Sequence, residues 1–164
     1  MSVRTGVVVV GLDDSGSAAE ALDFALDEGL AHGCAVEVVT AWLLPSPYEG
    51  MEHVTSMADG QRTAEEAQTK ALRRVMDARD ENPVVSQTVV HGSAGRALVE
   101  RAEGARMLVV GSARKGTLAR AVLGSVSEHC VRHSPAPVVV VARSESITHH
   151  ETGEIEPTEK EVQT

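Results

Sequence analysis

Aromatic side chains are almost missing from this chain: one Trp, one Tyr and one Phe among 164 residues. Three rings cannot build the stacking platform on which single-stranded nucleic acid is read. Positive charge is also in deficit, with Lys and Arg at 15 against Asp and Glu at 24, for a net charge of −9. A polyanion would be repelled on average, so nucleic acid is excluded as a partner. Cysteine is limited to Cys34 and Cys130, with no C-x-x-C pair, so there is no disulfide framework and a reducing compartment is expected. No apolar run is long enough to span a bilayer, and the first ten residues lack the basic start and apolar stretch of a leader. The expectation is a cytoplasmic protein that makes no use of a membrane.

What is present is valine, in short continuous runs. GVVVVGL (6–12), AVEVVTAWLL (35–44), VVSQTVV (84–90), MLVV (107–110) and PVVVVA (137–142) each have the length and the β-branched content of a buried strand. Between them lie helical patterns. Ala21, Leu22, Ala25, Leu26 and Leu30 recur at helical spacing over 18–31, and Gly33 stops that segment. Ala64, Ala67, Ala71, Leu72, Val75 and Met76 share one side of a helix over 63–79, which Pro83 breaks. Shorter helices are expected over 96–103 and 125–133. Strands alternating with helices predict an α/β fold: one domain with a five-stranded, mainly parallel sheet, wound in the Rossmann-like manner with helices on both faces. The polar stretch 46–59 is read as a connector that could cover a ligand. From Ser144 onward six Glu stand against one Lys, which reads as a disordered acidic tail, so the domain is assigned to 1–143 and the tail to 144–164.

Ligands of such sheets bind beyond the carboxyl ends of the strands. The most informative stretch there is MLVVGSARKGTLARAVLGSVS (107–127). An apolar strand ends at Gly111, a basic loop follows, and Gly124-Ser125 opens another helix. A helix start with free backbone N–H groups attracts anions, phosphate above all. The same residues would also satisfy a plain tight turn and helix cap. After the first strand, Asp13 reads from sequence as a helix-capping residue in a polar turn. His129 and His133 are four apart on a helix, but no third ligand has metal-site spacing, so a surface or core role is assigned. The serines lack a G-x-S-x-G elbow, and no catalytic residue is identified.

Together these residues place the chain in a resemblance. From Gly6 to Ala142 it resembles the universal stress protein family, most specifically in GSARKGTLARAVLGSVSEHCVRHSPAPVVVV (111–141). Nucleotide-binding members carry Gly, two residues, Gly, nine residues, then Gly-Ser or Gly-Thr. Here Gly111, two residues, Arg114, nine residues and Gly124-Ser125 keep that spacing, with Arg114 in place of the middle glycine. The resemblance implies a regulatory homodimer that acts in stress response and binds ATP, with AMP as the alternative ligand. It implies that Asp13 lies on the ribose side or helps hold Mg²⁺. Thr40 and Ala41 would face the base, Gly111, Arg114, Gly124, Ser125 and Ser127 the phosphates, and Gly11, Val110 and Val126 would complete the site. It also implies self-association through the strand 137–142, and at most slow ATP hydrolysis. An interaction module that has lost the nucleotide, and a slow nucleotidyl-transferring enzyme of the related α/β group, are the alternatives. Arg114 either blocks the phosphates, by denying a backbone shape that glycine allows, or grips them together with Lys115.

Overall fold

A computed structural model describes residues 6–44, 56–112 and 123–142. Its elements run β1 (Val8–Gly11), α1 (Gly16–His32), β2 (Val36–Trp42), α2 (Met57–Met76), β3 (Val85–His91), α3 (Ala94–Arg101), β4 (Met107–Gly111), α4 (Ser125–His133) and β5 (Val138–Val141). The strands form one sheet in the order β3-β2-β1-β4-β5, and every pairing is parallel. The expected fold class is therefore observed, with a sheet that is wholly rather than mainly parallel.

Alternation along the valine runs divides the core in two. Val8, Val10, Val36 and Val38 pack with Leu22 and Leu26 of α1 and Leu72 of α2. Val9, Val39, Leu108 and Val110 face the other way, onto Leu98 of α3, Ala102 at its C-terminal cap and Cys130 of α4. Valine suits both faces because each residue of a central strand is covered whichever way it points. Two helices thus cover each side of the sheet. Across the first side, Arg79, just beyond α2, holds Asp23 and Asp27 of α1. Those bonds, led by that to Asp27, raise the affinity of the guanidinium for its proton.

Helix ends follow local chemistry. Ser15 caps α1 by accepting the N–H of Ala18 at 3.2 Å, and Gly33 closes it in the left-handed region at φ 61°. The helix α2 begins six residues before the expected start at Thr63. Ser56 accepts the N–H of Asp59 at 3.2 Å and donates its hydroxyl to the Asp59 carboxylate at 2.8 Å. This reciprocal cap turns the end of the expected connector, Met57 to Asp59, into the first turn of a helix. The remainder of that connector before Ser56 lies outside the described residues, as do Arg114, Lys115 and the acidic tail. Among the described residues no helix is long and apolar enough to cross a membrane.

Candidate functional site

Strand order reverses at β1, which has β2 on one side and β4 on the other. The helices that follow β1 and β4, α1 and α4, therefore lie on opposite faces, with a crevice between them. A cavity of about 110 Å³ lies at this point. Gly11, Leu12 and Asp13 line it from the end of β1, and Val39 and Ala41 from β2. Val110 and Gly111 contribute from β4, and Ser125 and Val126 from the first turn of α4. Ser15 and Ala18 at the start of α1, with Ala94 and Leu98 of α3, complete the wall.

The β1 exit is tightly specified. Leu12 donates its N–H to the Val39 carbonyl at 2.9 Å, and its own carbonyl accepts the Thr40 hydroxyl at 2.7 Å. Asp13 then accepts the N–H of Ser15 at 2.9 Å through Oδ1, an Asx turn that delivers Ser15 to its capping position. The capping role considered for Asp13 thus belongs to Ser15, with Asp13 one step upstream. At the β4 exit, Gly111 backs onto the first turn of α1. A Cβ at Gly111 would lie 2.7 Å from Ser17 Oγ and 2.8 Å from the Ser17 carbonyl carbon. Close approach of two backbones, rather than an unusual φ, is what requires glycine here.

The α4 start differs from that of α1. Gly124 is its N-cap and no side chain caps it. Of the free backbone N–H groups of its first turn, those of Ser125 and Val126 belong to residues in the cavity wall, where they suit an anion. Ser127 is buried at 1% exposure and donates its hydroxyl to the Gly124 carbonyl at 3.0 Å. It braces the turn from beneath and does not line the cavity. Thr40 also lies off the wall, pointing to the opposite face of the sheet, whereas Ala41 beside it does line the cavity. Gly124 stands just behind Ser125. Of the predicted residues, Gly11, Asp13, Ala41, Val110, Gly111, Ser125 and Val126 are brought together, and Arg114 falls outside the described residues.

The sequence reading missed Leu12, Ser15, Ala18, Val39, Ala94 and Leu98. Val39 was legible in principle, since it shares a strand face with Ala41 at spacing two. Ala94 and Leu98 were not, because which helix covers which strand end is a matter of winding. Chemically the cavity wall combines apolar side chains, Val39, Ala41 and Leu98 among them, with hydroxyl and backbone donors. Asp13 is the single ionisable side chain among the described lining residues. Such a wall suits recognition of a ring carrying an anionic group more than proton transfer. The two histidines of α4 stack at 4.3 Å, and His133 Nδ1 donates to the His129 carbonyl at 2.9 Å.

Comparison with known proteins supplies the context. The model of the universal stress protein family matches residues 5–142. Universal stress protein Rv1996 of Mycobacterium tuberculosis (strain ATCC 25618 / H37Rv) is 31% identical over 135 residues, covering 81% of this chain and 43% of that protein. Universal stress protein Rv2005c of the same organism is 32% identical over 139 residues, covering 84% of this chain and 45% of its own length. The chain thus spans under half the length of these curated relatives. Among solved structures, a universal stress protein in complex with cAMP superposes with a TM-score of 0.63 at 28% identity, over 83% of this chain and 96% of that one. The universal stress protein UspA from Lactobacillus plantarum has a TM-score of 0.64 at 19% identity, over 84% of this chain and 98% of its own. A universal stress protein from Archaeoglobus fulgidus in complex with dAMP has a TM-score of 0.55 at 20% identity, over 83% and 97% of the two chains. These last two similarities bear on fold alone.

Proposed function

The chain belongs to the universal stress protein family, and on that premise we propose that it is a cytoplasmic, adenine-nucleotide-binding regulatory homodimer of the stress response. The observation that carries this reading is the cavity at the switch point, whose wall combines apolar side chains with the start of α4, which no side chain caps. A flat base lies against Val39 and Ala41, and the ribose reaches Asp13, which is also the carboxylate nearest to hand for Mg²⁺. Phosphates meet the N–H groups of Ser125 and Val126. The cAMP complex of a relative at 28% identity supports an adenine nucleotide in particular. ATP is the proposed ligand and AMP the alternative, with Arg114 and Lys115 adding charge beside the phosphates. The site is assigned to a domain over 1–143, with 144–164 an acidic tail.

Regulation rather than turnover fits a wall whose single described ionisable group is Asp13, leaving at most slow hydrolysis. Self-association is assigned to β5. This edge strand pairs with β4 on one side, and a second copy across a two-fold axis would satisfy the backbone groups of the other. A second reading, an interaction module without nucleotide, is favoured by Arg114 standing where the family's nucleotide-binding motif has glycine.

Calorimetric titration of the purified chain with ATP, AMP and cAMP, with mass spectrometry of any nucleotide carried through purification, tests the proposal. Saturable heat with one of the three is expected. Silence with all three and no retained nucleotide would overturn it in favour of the second reading. The variant Arg114→Gly then shows whether arginine blocks the phosphates, when affinity rises, or grips them, when it falls. Light scattering at micromolar concentration reads the dimer, and a monomer would dismiss the role given to β5.

A further inference from the structure

We propose that Gln68 is a positioning residue for the ligand site, acting through Thr40 on the carbonyl of Leu12. The inference rests on the nucleotide-binding reading above. Gln68 is buried at 3% exposure in the middle of α2, a helix whose other buried residues are Gly60 and Leu72. A buried amide is costly unless its hydrogen-bonding groups are used. Packing alone would be served by leucine, so the reason for glutamine lies in its bonds.

Those bonds converge on the sheet. Gln68 Nε2 lies 3.1 Å from the Val38 carbonyl, 3.0 Å from the Thr88 carbonyl and 3.1 Å from Thr40 Oγ1. A hydroxyl has one proton to give. The Leu12 carbonyl can only accept, so the Thr40 hydroxyl gives its proton to it at 2.7 Å, and Thr40 Oγ1 in turn accepts from the Gln68 amide, whose two protons are shared among it and the Val38 and Thr88 carbonyls. The order is thus Gln68 N–H to Thr40 O–H to Leu12 C=O, and each step orients the next.

What this fixes is the point where the chain leaves the sheet. The β1–β2 pairing ends at Gly11 opposite Val39. Beyond it the Leu12 N–H is held by the Val39 carbonyl, and the Leu12 carbonyl is held by Thr40 alone among the bonds described. The first bond holds the Gly11–Leu12 peptide and the second the Leu12–Asp13 peptide, so both peptides flanking Leu12 are fixed, and Asp13 and Ser15 take their places in the cavity wall from there. Gln68 and Thr40 lie on the α2 side of the sheet, whereas Val39, Ala41 and Leu98 line the cavity from the other. Thr40 therefore serves the site without touching what occupies it.

The test uses the full chain and the variants Thr40→Val, Thr40→Ser, Gln68→Leu and the double variant Gln68→Leu with Thr40→Val. Each is titrated with ATP and AMP, and the carbonyl carbon resonance of Leu12 is followed by NMR without nucleotide. Thr40→Val and Gln68→Leu are each expected to weaken binding roughly three- to ten-fold, the worth of an ordinary hydrogen bond. Thr40→Ser, which keeps the hydroxyl, should stay within about two-fold of the parent, and the double variant should bind no worse than the weaker single one. Lower melting temperatures with unchanged affinity, or losses that add in the double variant, would overturn the proposal. If Gln68→Leu does not fold, the Thr40→Val and Thr40→Ser pair decides alone. A parent chain that binds no nucleotide brings down the proposed function and this role with it. A Leu12 resonance unmoved by Thr40→Val refutes the relay by itself, whether or not nucleotide binds.

Discussion

The two ends of the sheet are built differently. At the amino ends of the strands, helices finish and the chain turns back at once, through Gly33 at φ 61° and Gly104 at φ 72°. Backbone bonds continue the ladder there, from Val8 N–H to the Ala35 carbonyl and from Arg106 N–H to the Val7 carbonyl, both at 2.9 Å. Polar side chains bond to one another there: Arg106 donates to His32 Nδ1 at 3.1 Å, and His32 Nε2 faces Glu28 at 3.2 Å. Cations belong at this end, because the carbonyl termini of α1 and α3 point there. At the carboxyl ends the helices begin, long connections follow β2 and β4, and polar groups surround a space. The parallel winding that makes one end a closed seam makes the other a ring of helix starts, and only the second can attract an anionic ligand.

Substitutions at the two ends sharpen this contrast. The largest effect is expected for Gly111→Val at the carboxyl end. Its Cβ would sit 2.7 Å from Ser17 Oγ and 2.9 Å from the Ser17 carbonyl oxygen, so backbone must move. A loss of about 1–3 kcal/mol in chemical denaturation is expected, as for an overpacked core, together with loss of nucleotide binding. Unchanged stability would mean that α1 and β4 are not held this closely. Next comes Ala41→Leu, which fills the cavity while leaving the close contacts of α1 and β4 alone. Calorimetry should show binding weaker by about ten-fold or more, in line with a steric cost above ~1.4 kcal/mol, and a melting temperature near the parent's. Equal affinity would place the base elsewhere.

Arg106→Ala tests the closed end. An exposed charged contact of this kind is worth about 0–1 kcal/mol, and nucleotide affinity should not change. A marked affinity loss would show that the two ends are coupled. An effect that is absent near neutral pH concerns Cys130 of α4, buried against the sheet. Burial pushes its thiol from 9.0 up to about 11. Between those values the unfolded chain releases a proton that the fold retains, so stability should fall as pH rises through this window and be unaffected below it. Thermal unfolding of the parent beside Cys130→Ala reads the difference, which a flat comparison across the window would refute.

Much of the architecture was legible locally. The strand β1 was expected over 6–12 and spans Val8–Gly11, and α4 was expected over 125–133, which is where it lies. Valine on both faces of a strand demands cover on both sides, and that requirement alone leads to parallel strands between helices. The start of α2 was not legible from apolar periodicity, because Met57 to Thr63 carries little of it; the signal was Ser56 with Asp59, a polar cap. Within the site, Ala41 and Gly111 could be placed because strand ends and glycine stops mark themselves. Thr40 was assigned the same role as its neighbour, yet a strand sends adjacent side chains to opposite faces.

The sequence by itself therefore determined the strands, the caps, the α/β class and the family, because periods of two and of 3.6 residues, turn residues and motif spacing are written in consecutive positions. Tertiary structure alone decided that Gly111 answers to Ser17 and that Gln68 reaches Leu12 through Thr40. Gly111 and Ser17 are joined by a helix crossing, and Gln68 and Thr40 by a helix laid over a strand. Such contacts depend on register and on which helix covers which strand, quantities that no local stretch of chain contains.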